Sequence, residues 1–221
     1  MKKLLFLLLA ALCTASFTRA EVNRAELVTY VETCEAILQE FQAKPSREAW
    51  QRAKGVLILN QFKGGLILGV KGGYGVLMVK KPDGQWSLPV LVNASEASVG
   101  LQFGATRIES IFIITDEKTP KILFNQRMNL GVDAKAVAGP LAAEKERNNA
   151  EILKTPLLAY TKTVGLYAGA TIKAGQIVRN DPANFALYST NYTMPELLYS
   201  DWVKAPDEVR PIMALMQKLA P

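Results

Sequence analysis

The chain has 221 residues, 49% hydrophobic and 21% charged, with 26 Lys and Arg against 20 Asp and Glu and no His. That length suits one packed domain, and the mixture is too apolar for a disordered chain and too even for a fibrous one. Without His there is no Ser-His-Asp or Cys-His catalysis, no imidazole-ligated zinc and no imidazole base, so an enzyme is the less favoured class.

Residues 1–20 read as a secretory signal. Lys2 and Lys3 form a positive start, Leu4 to Leu12 an unbroken apolar run, and Thr18-Arg19-Ala20 sets small residues at the −3 and −1 positions of a cleavage site. The apolar run is about half of the ~20 residues that a membrane span needs. Lipidation at Cys13 is disfavoured by Leu12, where a Gly or Ala normally stands. The expected destination is periplasmic or extracellular. Loss of Lys2, Lys3 and Arg19 with the signal lowers the net charge from +6 to +3, too little to argue for nucleic acid. It also leaves Cys34 alone, without an intramolecular disulfide.

From Arg24 to Gln42 the apolar residues Leu27, Val28, Tyr30, Val31, Cys34, Ile37, Leu38 and Phe41 recur every three or four positions, which predicts an amphipathic helix. Cys34 on that stripe is a small buried residue rather than a reactive thiol. Pro45 ends the helix and Ser46 caps a short second one with Glu48 and Trp50 in its first turn. After Gly55 the runs Val56–Leu59, Leu66–Val70, Val76–Val79, Leu88–Val92 and Ile111–Ile114 read as strands, and four consecutive apolar residues require cover on both faces. Lys81-Pro82-Asp83-Gly84 is a turn that joins Val76–Lys80 to Gln85–Val92 as an antiparallel hairpin. Arg107–Ile114 and Lys121–Phe124 are expected to form another hairpin. Asp133–Pro140 is small and alanine-rich, and Ala142–Ala150 reads as a solvated loop or helix end. Leu157–Tyr160 and Val164–Ile172 return to strand, and Pro195–Asp201 and Pro206–Lys218 are two short helices with Pro near each start. The glycine-rich Lys63–Gly75 stretch matches neither phosphate-loop template, so close backbone packing and tight turns are favoured over a phosphate nest beside Lys63 and Lys71.

The motifs Ala53-Lys54-Gly55-Val56, Tyr74-Gly75-Val76-Leu77, Asp83-Gly84-Gln85-Trp86-Ser87-Leu88-Pro89, Gly100-Leu101-Gln102-Phe103-Gly104, Ala138-Gly139-Pro140 and Gly165-Leu166-Tyr167-Ala168-Gly169, closed by Asn184 to Tyr188, share order and spacing. In these the chain resembles the SYLF domain family over roughly Ala53 to Tyr199. The resemblance implies phospholipid binding, actin bundling in some fungal members, and no catalytic activity. Eukaryotic members often carry a basic amphipathic helix before the domain. Here residues 21–45 have a net charge of −3, so this helix is expected to pack on the domain instead.

The combined reading is a single α+β domain at 21–221 after the signal at 1–20. It has helices at 21–52, a mainly antiparallel motif-bearing core at 53–199 and a C-terminal helical part at 200–221. Expected lipid contacts are Lys63, Lys71, Lys80 and Lys81 at strand ends and turns, with Phe62, Tyr74 or Trp86 as aromatics to insert, although Trp86 is better placed in the core. No cofactor, metal site or catalytic residue is expected. The expected partner is an anionic phospholipid or membrane surface. A structural or protein-interaction module of the cell envelope is the alternative, and a carboxylate hydrolase the third.

Overall fold

The computed structural model describes residues 23–65, 68–99, 105–130, 136–138, 155–164 and 175–221. The segment read as an export signal, the loop at 142–150 and the stretch beyond Val164 to Ile172 lie outside these residues. Helix α1 (Arg24–Phe41) begins where Asn23 Oδ1 accepts the Ala25 N–H at 3.0 Å, and its three-and-four spacing buries Leu27, Val31, Cys34, Ile37, Leu38 and Phe41. Burial pushes the Cys34 thiol up to about 12, so it stays protonated and inert. Helix α2 (Arg47–Gln51) is capped by Ser46 Oγ, which accepts the Ala49 N–H at 3.1 Å.

Strands β1 (Gly55–Gly65), β2 (Leu68–Val79), β3 (Val90–Val99), β4 (Ala105–Ile114), β5 (Met128–Asn129), β6 (Ala136–Ala138), β7 (Leu157–Val164) and β8 (Gln176–Arg179) form one sheet. Its order is β5-β8-β3-β2-β1-β4-β7-β6, antiparallel throughout except for the parallel β6–β7 pair. This is the α+β, mainly antiparallel architecture that the strand pattern predicts. Val56, Leu57, Ile58 and Leu59 are all fully buried, as their lack of alternation requires. Helix α1 packs over β1, β2 and β4 with its acidic outer face in solvent. Helices α3 (Asp181–Tyr188), α4 (Met194–Tyr199) and α5 (Arg210–Leu219) complete the core. Of these α3 reaches β3 and α1, α4 reaches β2 and β3, and α5 lies on α1.

Several motif residues turn out to be clamps between these elements. In the Lys81–Gly84 turn, Gly84 has φ +84° and its N–H donates to the Lys81 carbonyl at 2.9 Å, the backbone state that favours glycine. Trp86 Nε1–H donates to the Ala220 carbonyl at 2.9 Å, which ties the hairpin to the end of α5. Ser87 Oγ accepts the Val79 N–H at 3.0 Å where the ladder is interrupted before Pro89. Beyond β8 the polar edge of Leu91 is satisfied by one side chain. Its N–H donates to Asn184 Oδ1 at 2.7 Å, and Asn184 Nδ2 donates to its carbonyl at 3.0 Å. Tyr188 Oη then donates to the Pro89 carbonyl at 2.6 Å, so α3 is bolted to the start of β3 at two points.

Some expectations change. Lys121–Phe124 is not a strand but part of a 3-10 helix, Pro120–Phe124. Asp116 Oδ1 accepts the N–H groups of Lys118 and Thr119, both at 2.7 Å, and Pro120 at the first position favours the helical turn over a ladder. The partner of β4 is instead the distant β7. Val70 and Val76–Val79 belong to one long strand, with Gly72, Gly73 and Gly75 inside it rather than at turns. A Cβ on Gly73 would sit 2.1 Å from the Asn60 carbonyl oxygen, and one on Gly75 2.1 Å from that of Ile58, so β1 approaches too closely for any side chain. β8 and α3 are additional elements that the strand and helix readings passed over.

Asn184→Ala leaves the buried Leu91 N–H without its acceptor and is expected to cost about 2–4 kcal/mol. Thermal unfolding checks this as a clear drop in Tm with the fold's circular dichroism retained below the transition.

Candidate functional site

The four lysines expected to form one lipid site are divided between the two ends of the sheet. Lys63 and Lys71 are register partners on β1 and β2 at one end, whereas Lys80 and Lys81 follow the other end of β2. The nine residues from Lys71 to Lys80 correspond to ~30 Å of extended strand. Lys80 Nζ donates to the Pro221 carbonyl oxygen. The Lys81 side chain is only 8% exposed and pairs with Asp201, which is 82% exposed, and with Asp83 at 3.6 Å. Lys81 is therefore placed as a tether between the hairpin turn and the loop after α4. Among the aromatics named from sequence, Trp86 is core and Tyr74 stacks on Tyr30 of α1 with ring centroids 3.8 Å apart. Phe62 is exposed.

The loop that Lys81 holds carries the largest exposed aromatic among the described residues. Trp202 is 65% exposed, while Trp50 and Trp86 are 4% and 3%. Its position follows from α4, a short helix fixed at both ends. At the start, the Thr193 N–H and Oγ1–H donate to Glu196 Oε2 at 2.6 and 2.8 Å, a capping box with Pro195 in the first turn. Those bonds hold the Glu196 carboxyl below the usual carboxylate range. At the end, the Ser200 N–H closes the last helical bond with the Glu196 carbonyl at 2.9 Å, and the extended backbone of Ser200 stops the helix. Met194, Leu197 and Leu198 are buried, while Tyr192 before the helix and Tyr199 at its end are exposed.

Tyr192 before α4 and Trp202 after it meet with ring centroids 5.2 Å apart. Tyr199 packs edge-on against Phe124 at 5.9 Å, and Lys121 Nζ stands 5.8 Å from the Tyr199 ring. Burial, with Glu117 nearby, raises the Tyr199 phenol, so it remains a neutral hydroxyl. Lys204, two residues beyond Trp202, is exposed, as is Lys121. The result is two aromatic contacts flanking α4, Tyr192 with Trp202 and Tyr199 with Phe124, with Lys121 and Glu117 near Tyr199 and with the exposed Asp201, next to Trp202, paired to Lys81. Sequence reasoning missed this patch because it followed lysines at strand ends. The available signal was an aromatic in the linker Ser200–Pro206, off any buried helical stripe.

Two further carboxylates sit in ion pairs: buried Glu109, beside Asn60, bonds Arg107 through Oε1, and exposed Glu40 pairs with Lys162 at 2.6 Å. No group of three or more His, Cys, Asp or Glu able to hold a metal ion occurs among the described residues, and no helix among them is long and apolar enough to cross a membrane.

The profile of the Ysc84 family, described as "Las17-binding protein actin regulator", matches residues 95–219. The chain is 28% identical to Protein YSC84 of Saccharomyces cerevisiae over 174 residues, 77% of this chain and 37% of that protein. It is 28% identical to LAS seventeen-binding protein 3 of the same yeast over 77% of this chain and 38% of that one. With the human SH3 domain-containing YSC84-like protein 1 it shares 25% identity over 75% of this chain and 51% of that protein. The chain thus spans about half or less of the length of these relatives. No solved structure matches it.

The three tryptophans make the patch readable in solution. Acrylamide is expected to quench a red-shifted component of the emission that Trp202→Phe removes, leaving the protected emission of Trp50 and Trp86. A Trp202→Phe protein with unchanged quenching would place Trp202 in the interior.

Proposed function

The chain belongs to the Ysc84 family, which carries the SYLF motifs read above, and from that premise we propose that it is a non-catalytic binding module that docks on anionic phospholipid surfaces of the cell envelope after export. The observation that carries this reading is the exposed Tyr192–Trp202 pair flanking the capped helix α4, with exposed Lys204 two residues beyond Trp202 and Lys121 beside Tyr199 at the helix end. Trp and Tyr have an apolar body and a polar edge, which suits the headgroup level of a bilayer, and each cation near an anionic leaflet contributes ~1 kcal/mol. Two such cations and two inserted rings give weak, salt-sensitive, reversible attachment. Lys81 serves this contact indirectly, by pairing with the exposed Asp201 next to Trp202, and Lys80 lies at the same end of β2. The family's description and the relatives' names speak of Las17 binding and actin regulation, so protein partners belong to those relatives, and a protein-interaction module remains the alternative here.

Sedimentation of the chain with vesicles of increasing phosphatidylserine content tests the proposal. Binding is expected to rise with anionic lipid, to weaken at higher salt, and to fall by at least about tenfold in Trp202→Ala, as the loss of one inserted aromatic of ~1.5–3 kcal/mol predicts. The double variant Lys121→Glu, Lys204→Glu is expected to lose the salt-dependent part. Absence of binding at every composition, with capture of a protein ligand, would replace the lipid reading by the alternative.

A further inference from the structure

We infer that Tyr30 and Tyr74 form a site of oxidative cross-linking, at which a one-electron oxidant joins helix α1 to strand β2 through a dityrosine bond. The inference is independent of the lipid reading of the α4 patch. Tyr30 of α1 and Tyr74 of β2 lie face to face, with ring centroids 3.8 Å apart and an interplanar angle of 12°. Carbon atoms in contact stand ~3.5–4.0 Å apart, so the two rings overlap almost fully. Aromatic pairs otherwise favour offset or edge-on packing, as Tyr199 adopts on Phe124. Among the described residues this is the one contact between two tyrosine rings.

Both phenols are held by their oxygens. Tyr30 Oη–H donates to the Glu26 carboxylate one turn earlier on α1, and Asn60 Nδ2–H donates to Tyr74 Oη at 2.9 Å. Asn60 is itself buried and is the β1 register partner of Tyr74. The bond to Glu26, with burial, pushes the Tyr30 phenol up to about 12. It is therefore a neutral donor with a carboxylate in place to take its proton. The rings are half-buried rather than sealed in. Gly72, two residues before Tyr74 on the same face of β2, has nothing within 4 Å of its Cβ position, which leaves the flank of the pair open.

Loss of one electron and one proton turns each phenol into a phenoxyl radical, whose unpaired spin extends to the ring carbons beside the C–O bond. Tyr30 passes its proton to Glu26, and Tyr74 passes its own to water. Two such carbons begin to bond through orbital lobes perpendicular to the rings, the direction in which stacked rings face each other. One C–C bond forms, the two C–H bonds at the joined carbons break, and their protons move through water to the oxygens to restore both phenols. The pair gives up two electrons and two protons in all, which is what a haem peroxidase needs to reduce one hydrogen peroxide to two waters. The product ties α1 covalently to the sheet. Cys34, the free cysteine among the described residues, is buried and supplies no such tie.

The test illuminates the dilute full chain with tris(bipyridyl)ruthenium and persulfate, which together supply the one-electron oxidant. Dityrosine emission, intact mass and peptide mapping are read on the monomeric product. Wild type is expected to lose two hydrogens and to yield linked peptides containing Tyr30 and Tyr74. Closing that loop is expected to raise Tm by about 5 °C or more. Tyr30→Phe and Tyr74→Phe, each checked for unchanged circular dichroism, are expected to lose the product about tenfold or more, while Tyr192→Phe keeps it. Glu26→Gln retains the stack without the proton acceptor and is expected to slow coupling about threefold or more. A monomeric product linked through other tyrosines overturns the inference, as does the absence of any intramolecular link in wild type. Coupling of Glu26→Gln at the wild-type rate overturns the role given to that carboxylate.

Discussion

The constraint on which the structure depends is the two-sided burial of one half of the central hairpin. Val56 to Leu59 of β1 and Val76 to Val79 of β2 are excluded from water on both faces. A strand with no wet face cannot stand as part of an open sheet, so layers must cover it. Helix α1 covers β1, β2 and β4, and the C-terminal helices close on β2, β3 and α1. The same strands then run on past this cover. Asn60 and Gln61 are still buried but polar, whereas Phe62 and Arg107 face solvent. A single 11-residue strand therefore passes from the core to solvent-exposed Phe62.

This division separates the residues that mark the family from those that contact anything outside. Asn184, Tyr188, Trp86 and Ser87 are buried and hydrogen-bonded to backbone atoms of distant elements. Each satisfies a polar group at a point where the ladder or a helix ends, and an unpaired buried group is costly enough to make such positions intolerant of change. Gly73 and Gly75 belong with them, since a side chain at either would strike the backbone of β1. The family signature is thus largely a description of how the sheet is closed. On the proposed reading, recognition falls instead to the exposed Trp202 and Tyr192.

Periodicity made α1, the hairpin turn and the buried strands legible, because each leaves a local mark: a three-and-four stripe, a Pro-Asp-Gly turn, an unbroken apolar run. The packing of acidic α1 on the domain, rather than on an anionic surface, could also be read from its charge. The pairing of β4 with β7 could not, because the choice between a near and a far partner is made by tertiary fit. Lys121–Phe124 misled for the same reason. Its apolar residues suit a strand, but Asp116 and Pro120 set a helical turn. Of the candidate site the sequence shows the lysines, but a list of cations does not say that Lys81 is already paired or that the two pairs lie far apart along β2. Nor does a sequence show that Tyr192 and Trp202, separated by a helix, meet as rings.

On the proposed reading, a rigid sheet fixes the spacing of its contacts, and the residues that bind are few, exposed and tolerant of substitution without loss of fold. The most direct measurement of that claim is quenching of Trp202 emission by vesicles whose phosphatidylserine acyl chains carry bromine, against unbrominated vesicles of the same composition. The account predicts that bound protein loses the Trp202 component in brominated vesicles while the emission of buried Trp50 and Trp86 is spared. Sedimentation with the vesicles and no quenching of Trp202 would contradict it, since lipid would then be met by a surface other than the aromatic patch.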